Sequence, residues 1–223
     1  GGNHASWWQQ VPHFRDRFTC VTFAHMGFHP SQGEARPELA PRQLAALQDH
    51  LALGPAVFVA QSMGGWTCTA LALAEPERFR ALVLCDTVGV LRFEAEPAWP
   101  DPAALFARGV HPAAGERMAR EQPALHQLYQ ALDGLSAGLD KNALRMRLRE
   151  LRNVPAERLR GHPYPILWIW GEEDASIPVE MGYAARDLFT EARFELVPQA
   201  GHSVYFERPE TFNRVLDSFL SSL

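Results

Sequence analysis

Little in this sequence points to a metal, a membrane or a nucleic acid. Cysteine is scarce: Cys20, Cys68 and Cys85 are the only three in 223 residues, too few and too scattered for a disulfide framework or a zinc site. Cys20 and Cys85 fall in apolar strand-like runs and Cys68 in a helical one, so all three read as buried free thiols of a reducing compartment. His25 and His29 are four positions apart, but Gly27 and Pro30 break any helix that would align them and no third ligand follows, so no metal is expected. No apolar run approaches the ~20 residues of a membrane span. The net charge of −5 is interspersed along the chain and gives no electrostatic reason for nucleic acid or an anionic membrane. The densest basic stretch, Arg145 to Arg152, contains Glu150 and reads as the solvated face of a helix. No internal repeat, low-complexity tract or signal peptide is seen. The expectation is a cytoplasmic protein that handles a small molecule without a cofactor.

What is present is an alternation. Apolar residues make up 47% of the chain, enough to bury the core of one substantial domain. Short β-branched runs alternate with longer helical patterns, the signature of a mostly parallel sheet flanked by helices, an α/β fold. Strands are predicted at Phe18–Ala24, Ala56–Ala60, Ala81–Cys85, Ile166–Trp170 and Arg193–Val197. Several are continuously apolar, as strands buried on both faces are. Helices are predicted at Ser6–Phe14, Pro41–Leu51, Met63–Ala74, Val179–Phe189 and Pro209–Leu220, with Pro41 and Pro209 in first turns, where no backbone donor is needed. Residues 92–161 break this rhythm: a proline-punctuated start (Pro97, Pro100, Pro102, Pro112) leads into helical segments at Gly115–Ala131 and Lys141–Leu151, with no strand evident. They read as a helical cap inserted in a core formed by residues 1–91 and 162–223. Trp99 and Leu128 in the cap, and Trp66 beyond the first helix turn after Ser62, are candidates to line a pocket for an apolar substrate.

The strand AVFVA runs into Ala60-Gln61-Ser62-Met63-Gly64-Gly65 and then a helix. A small-x-Ser-x-Gly turn between strand and helix is a nucleophile elbow, tight enough that the residues two before and two after the Ser must be small. It lifts the Ser62 hydroxyl clear of the strand at a helix N-terminus, whose dipole favours a developing oxyanion, with the Met63 N–H as one donor. A base and an orienting acid follow. Asp174 succeeds the strand ILWIW, and His202 succeeds the last strand in Gln199-Ala200-Gly201-His202-Ser203. Taken alone, each reads as a turn residue. Together they place Ser, Asp and His at the C-terminal ends of successive strands, which in a parallel sheet converge on one edge. Asp86, ending ALVLC, is the rival acid, and Glu172 and Glu173 read as loop charges.

With AQSMGG, GEEDASIP, AGHS and an opening GGNHASWW, nearly the whole sequence resembles the α/β-hydrolase fold family. The resemblance implies that Ser62 attacks an acyl carbonyl, His202 moves its proton to the leaving group, and Asp174 orients the imidazole. It implies a serine hydrolase cleaving a small to medium, apolar carboxylic ester. Opening a lactone or cleaving a carbon–carbon bond on the same triad are alternatives, and a non-catalytic ligand receptor is the alternative of another class. Ser at position 62 argues against an Asp-nucleophile dehalogenase or epoxide hydrolase. Two departures stand out. Family members carry a His-Gly pair, ending a central strand, ahead of a segment like Gly1-Gly2-Asn3-His4, and that loop supplies the second oxyanion donor. Here the pair is absent, so N-terminal strands are expected to be missing from this chain, and Gly1 and Gly2 are the remaining candidates for that donor. The segment Ala24-His25-Met26-Gly27-Phe28-His29-Pro30-Ser31 stands where the family often has Asp-x-Arg-Gly-x-Gly-x-Ser, so the polar network that shapes this loop is altered.

Overall fold

The computed structural model describes residues 3–223. Its main sheet has four strands, β1 (Ala56–Gln61), β2 (Phe79–Cys85), β5 (Ile166–Gly171) and β6 (Arg193–Val197), all parallel and in the order β1-β2-β5-β6. A separate two-stranded ladder pairs β3 (Leu91–Arg92) with β4 (Val154–Pro155). The helices are α1 (Val11–Phe14), α2 (Ala40–His50), α3 (Met63–Ala74), α4 (Pro102–Ala107), α5 (Glu116–Glu121), α6 (Pro123–Gly134), α7 (Lys141–Glu150), α8 (Val179–Leu188), α9 (Val204–Glu207) and α10 (Pro209–Leu220).

The continuous apolar runs of β2 and β5 have a direct reason: both strands lie between neighbours and are covered on both faces. Side chains alternate across a strand. Leu82, Leu84, Trp168 and Trp170 therefore face a core layer shared with Leu44 of α2, Leu71 of α3 and Met181 of α8. Ala81, Val83, Cys85, Leu167 and Ile169 face the opposite layer, with Phe14 of α1, Tyr129 of α6 and Phe212, Leu216 and Phe219 of α10. Leu82, Leu84, Trp168 and Trp170 are completely buried, and a buried side chain of leucine size contributes about 1.5–3 kcal/mol. The register aligns Gln61 with Cys85, Cys85 with Ile169 and Gly171 with Val197, so the chain leaves all four strands at one edge.

Several expectations need correction. Phe18–Ala24 is not a strand but an irregular, largely exposed segment. A strand exists only through its ladder, and this segment lies across from β1 with a cavity of about 430 Å³ between them, lined by Phe18, Val21, Phe23, Val57 and Val59, among others. Among the described residues, β1 pairs only with β2, so its other edge faces that cavity. Cys20, carried on the segment, is exposed rather than buried, while Cys68 and Cys85 are buried. The first predicted helix is split into a 3-10 turn at His4–Trp7 and α1, with Pro12 in the first turn of α1. The predicted Gly115–Ala131 helix is likewise cut at Pro123, which lacks the N–H needed to continue α5 into α6. Residues 92–161 are not without a strand after all, because β4 at Val154–Pro155 pairs with β3 at Leu91–Arg92. No helix among the described residues is long and apolar enough to cross a membrane.

Candidate active site

The chain turns from β1 into α3 at Ser62, whose backbone sits at φ 50°, ψ −116°. Such a conformation costs a non-glycine residue about 1–3 kcal/mol and persists only where neighbours over-determine it. Here they do. The Ser62 N–H donates to the Cys85 carbonyl at 3.0 Å, and the Ser62 carbonyl accepts from the Gly65 N–H at 2.9 Å and from the Thr87 hydroxyl at 2.8 Å. Gly65 permits that clamp: a Cβ at this position would lie 2.3 Å from the Thr87 methyl and 2.4 Å from its hydroxyl.

Two further loops reach this point. His202 follows β6, is nearly buried, and places Nε2 2.8 Å from the Ser62 hydroxyl. Its Nδ1 lies 2.8 Å from Asp174 Oδ2 in the loop after β5. The other oxygen, Asp174 Oδ1, accepts the Ser176 N–H at 2.7 Å and the Ile177 N–H at 3.0 Å, which fixes the carboxylate plane. With a carboxylate facing Nδ1, that nitrogen donates and Nε2 presents its lone pair to the serine hydroxyl.

Asp86 lies close by and does something else. It is fully buried at the end of β2, and its oxygens accept the Gly171 N–H at 2.8 Å and the Val204 N–H at 3.4 Å. Burial, reinforced by the negative charge of Asp174, pushes its carboxyl well above the usual range. Its bonds go to backbone N–H groups at the end of β5 and the start of α9, not to the imidazole.

Met63 is the first residue of α3, so its N–H is among the donors that a helix N-terminus leaves free of intrahelical bonds. Gly1 and Gly2 lie outside the described residues. Their neighbour Asn3 has its N–H bonded to Ser6 Oγ at 3.1 Å, and Ala5 has its own bonded to Asn3 Oδ1 at 2.9 Å, so the capping box of this turn uses those donors itself.

None of the proposed pocket residues lines the large cavity beside β1. Trp66 is buried in the core layer that contains Leu71 and Trp168, because its position on α3 turns it inward to the sheet. Trp99 packs on the same core, with the guanidinium groups of Arg149 and Arg152 5.1 Å and 4.6 Å from its ring centre. Leu128 is 38% exposed on α6. The large cavity beside β1 touches Met63 and Gly64, but neither Ser62 nor His202 lines it. Two polar residues escaped the sequence reading. Gln61 donates from Nε2 to the His202 carbonyl at 2.7 Å. Glu207 is buried and accepts the Gly201 and Ser203 N–H groups on either side of His202, at 2.8 Å and 3.2 Å. The available signal for Glu207 was an acid directly after Val204-Tyr205-Phe206 and two residues before Pro209.

Known proteins bear out the fold. A family model described as alpha/beta hydrolase fold matches residues 1–150 and 107–209. The 3-oxoadipate enol-lactonase 2 of Acinetobacter baylyi is 26% identical over 237 residues, spanning 99% of this chain and 85% of that one. A 2-hydroxy-6-oxononadienedioate/2-hydroxy-6-oxononatrienedioate hydrolase of Burkholderia vietnamiensis is 27% identical over 204 residues, spanning 83% of this chain and 69% of its own. The structure of a thermophilic esterase from Thermogutta terrifontis superposes with a TM-score of 0.76 at 25% identity, over 99% of this chain and 86% of that one. With a parallel sheet flanked by helices, and a family model that matches most of its length, the chain belongs to the alpha/beta hydrolase fold family and is a hydrolase.

Proposed function

We propose that this hydrolase cleaves carboxylic esters through an acyl-enzyme on Ser62, with His202 as the base and Asp174 as its orienting acid. The observation that carries the reading is the unbroken relay from the Ser62 hydroxyl to His202 Nε2 and from His202 Nδ1 to Asp174, each link 2.8 Å, beginning at a strained strand-to-helix turn. As Ser62 Oγ bonds to the acyl carbon, its proton passes to His202 Nε2 and the imidazolium is stabilised by Asp174. The carbonyl oxygen takes up negative charge toward the Met63 N–H and the positive end of α3. Collapse of the tetrahedral intermediate returns the proton from His202 to the departing alcohol. Water then attacks the acyl-enzyme, with His202 again taking and returning a proton, and frees the acid.

A lactone is a cyclic ester and would open by the same steps, the leaving alkoxide staying attached to the acyl group. The similarity to an enol-lactonase supports that second reading. Carbon–carbon bond hydrolysis on the same relay stays the alternative chemistry. The test is to incubate the protein with an organophosphonate and, separately, with short-chain activated esters and lactones, mapping any adduct by mass spectrometry. One adduct per chain on Ser62, together with turnover that disappears in Ser62→Ala, is the expected result. No adduct, and behaviour in Ser62→Ala equal to wild type, would refute the catalytic reading and favour a ligand receptor on this fold.

A further inference from the structure

His202 is carried by a loop, and loops are the mobile parts of a fold. Its ring must nonetheless stay within hydrogen-bonding distance of two partners at once. The backbone on each side of it is held by buried or half-buried side chains outside the relay. Glu207 Oε2 accepts the Gly201 N–H at 2.8 Å, and Glu207 Oε1 accepts the Ser203 N–H at 3.2 Å. Gln61, the residue before the nucleophile, donates to the carbonyl of His202 itself at 2.7 Å. The peptide group that follows His202 is thus held at both of its polar ends, its C=O by Gln61 at the nucleophile elbow and its N–H by Glu207 of α9, and Glu207 also holds the N–H of Gly201.

Glu207 has a third bond. Its Oε1 also accepts the N–H of Gly115, the residue that leads into α5 of the insertion, at 3.0 Å. Gly115 and Gly201 approach so closely that a Cβ on Gly201 would fall 2.5 Å from the Gly115 Cα, and one on Gly115 would fall 2.5 Å from Glu207 Oε2. The same stretch of the insertion is fixed to both relay loops by other bonds. The Ser203 hydroxyl donates to the Ala113 carbonyl at 2.7 Å, and the Ser176 hydroxyl, two residues beyond Asp174, donates to the Pro112 carbonyl at 2.5 Å. Glu207 is 1% exposed, and its partners are backbone donors rather than a cation. A carboxylate kept in such a place without a counter-ion costs free energy, and three charge-assisted bonds on one side chain are what offsets it.

We propose that Glu207 and Gln61 are positioning residues for the base: together they set the backbone of His202, and through Gly115 the same carboxylate locks the insertion to it. This inference rests on the triad reading above. Replacing Glu207 by Gln keeps the shape but turns an amide NH₂ toward at least one of three N–H groups, so the loop must shift. Replacing Gln61 by Leu releases the His202 carbonyl and leaves Ser62, His202 and Asp174 unaltered.

The experiment measures kcat and KM for an activated ester and the rate of phosphonate labelling of Ser62. All rates are expressed per site that finally labels, so that loss of folded protein does not enter. Displacement of a base by about 1 Å costs about 100-fold, and that fall in kcat and in labelling rate is expected for Glu207→Gln with KM unchanged. Loss of a single hydrogen bond predicts about a tenfold fall for Gln61→Leu. Wild-type rates per labelled site in both variants, even with lowered thermal stability, would overturn the proposal by showing a purely structural role. Should Glu207→Gln not fold, Gln61→Leu decides, and a wild-type rate there also overturns it. A wild-type protein that never labels would sink the triad reading, and this inference with it.

Discussion

Asn at position 174 is a sharper probe than Ala, because it changes one atom and the structure dictates which way it turns. Asp174 Oδ1 receives two backbone N–H groups, from Ser176 at 2.7 Å and Ile177 at 3.0 Å. An amide NH₂ placed there would face two donors, so the amide of Asp174→Asn keeps its oxygen on that side and points its NH₂ at His202 Nδ1, 2.8 Å away in the native protein. The imidazole then accepts at Nδ1 and carries its proton on Nε2, facing the Ser62 hydroxyl. In that tautomer it cannot take the serine proton. The packing is unchanged, yet kcat should fall by about 10⁴, about 5 kcal/mol in the barrier. KM should be nearly unaffected. Asp86→Asn is the matched control, since among the described residues its carboxylate accepts hydrogen bonds from the Gly171 and Val204 N–H groups and not from His202. Its amide can place oxygen on the shorter of those bonds, and its rate should stay within about tenfold of wild type, the scale of one hydrogen bond. The assay is single-turnover acylation with an activated ester, followed by adduct mass. If Asp174→Asn reacts within tenfold of wild type while Asp86→Asn loses the larger factor, the tautomer reasoning is refuted and Asp86 is the orienting acid.

Three further outcomes are expected. Gly65→Ala should destabilise the fold by about 1–3 kcal/mol in urea unfolding, because its methyl would fall 2.3 Å from the Thr87 side chain; an unchanged midpoint would show that the elbow has slack. Thr87→Val removes the hydroxyl that donates to the Ser62 carbonyl and accepts from the Gly89 N–H at 3.0 Å. It should cost about 1–3 kcal/mol and slow acylation, and loss of neither would mean that the turn holds itself. Asp86→Asn should also alter the dependence of stability on pH. Burial raises the folded-state pKa of Asp86, so the folded protein binds this proton more tightly than the unfolded chain does. Stability therefore falls as pH rises from the unfolded value of about 3.9 through the folded one. Relative to wild type, Asp86→Asn should gain stability on going from pH 4.5 to 8, and a flat difference in urea unfolding would contradict it.

The α/β alternation, the buried central strands and the three residues of the relay were all legible in the sequence, for a physical reason. Strands buried on both faces must be continuously apolar, as ALVLC and ILWIW are. A strand–Ser–helix turn also permits few residue types, as Ala60 and Gly64 show. Long-range pairing was not legible. Phe18–Ala24 has the composition of a strand, but composition cannot supply a neighbour, and across the cavity from β1 it forms no ladder. Trp66, Trp99 and Leu128 looked alike as apolar candidates. Only packing distinguished a core residue, a residue stacked with arginines and a solvent-facing one. The roles of Gln61 and Glu207 were not legible, even where an acid among apolar residues marked Glu207 as unusual, because their partners are backbone groups up to 141 positions away. A sequence names side chains, whereas peptide N–H and C=O groups are present at nearly every position. Which of them a buried carboxylate or amide meets is decided when the loops converge at the sheet edge.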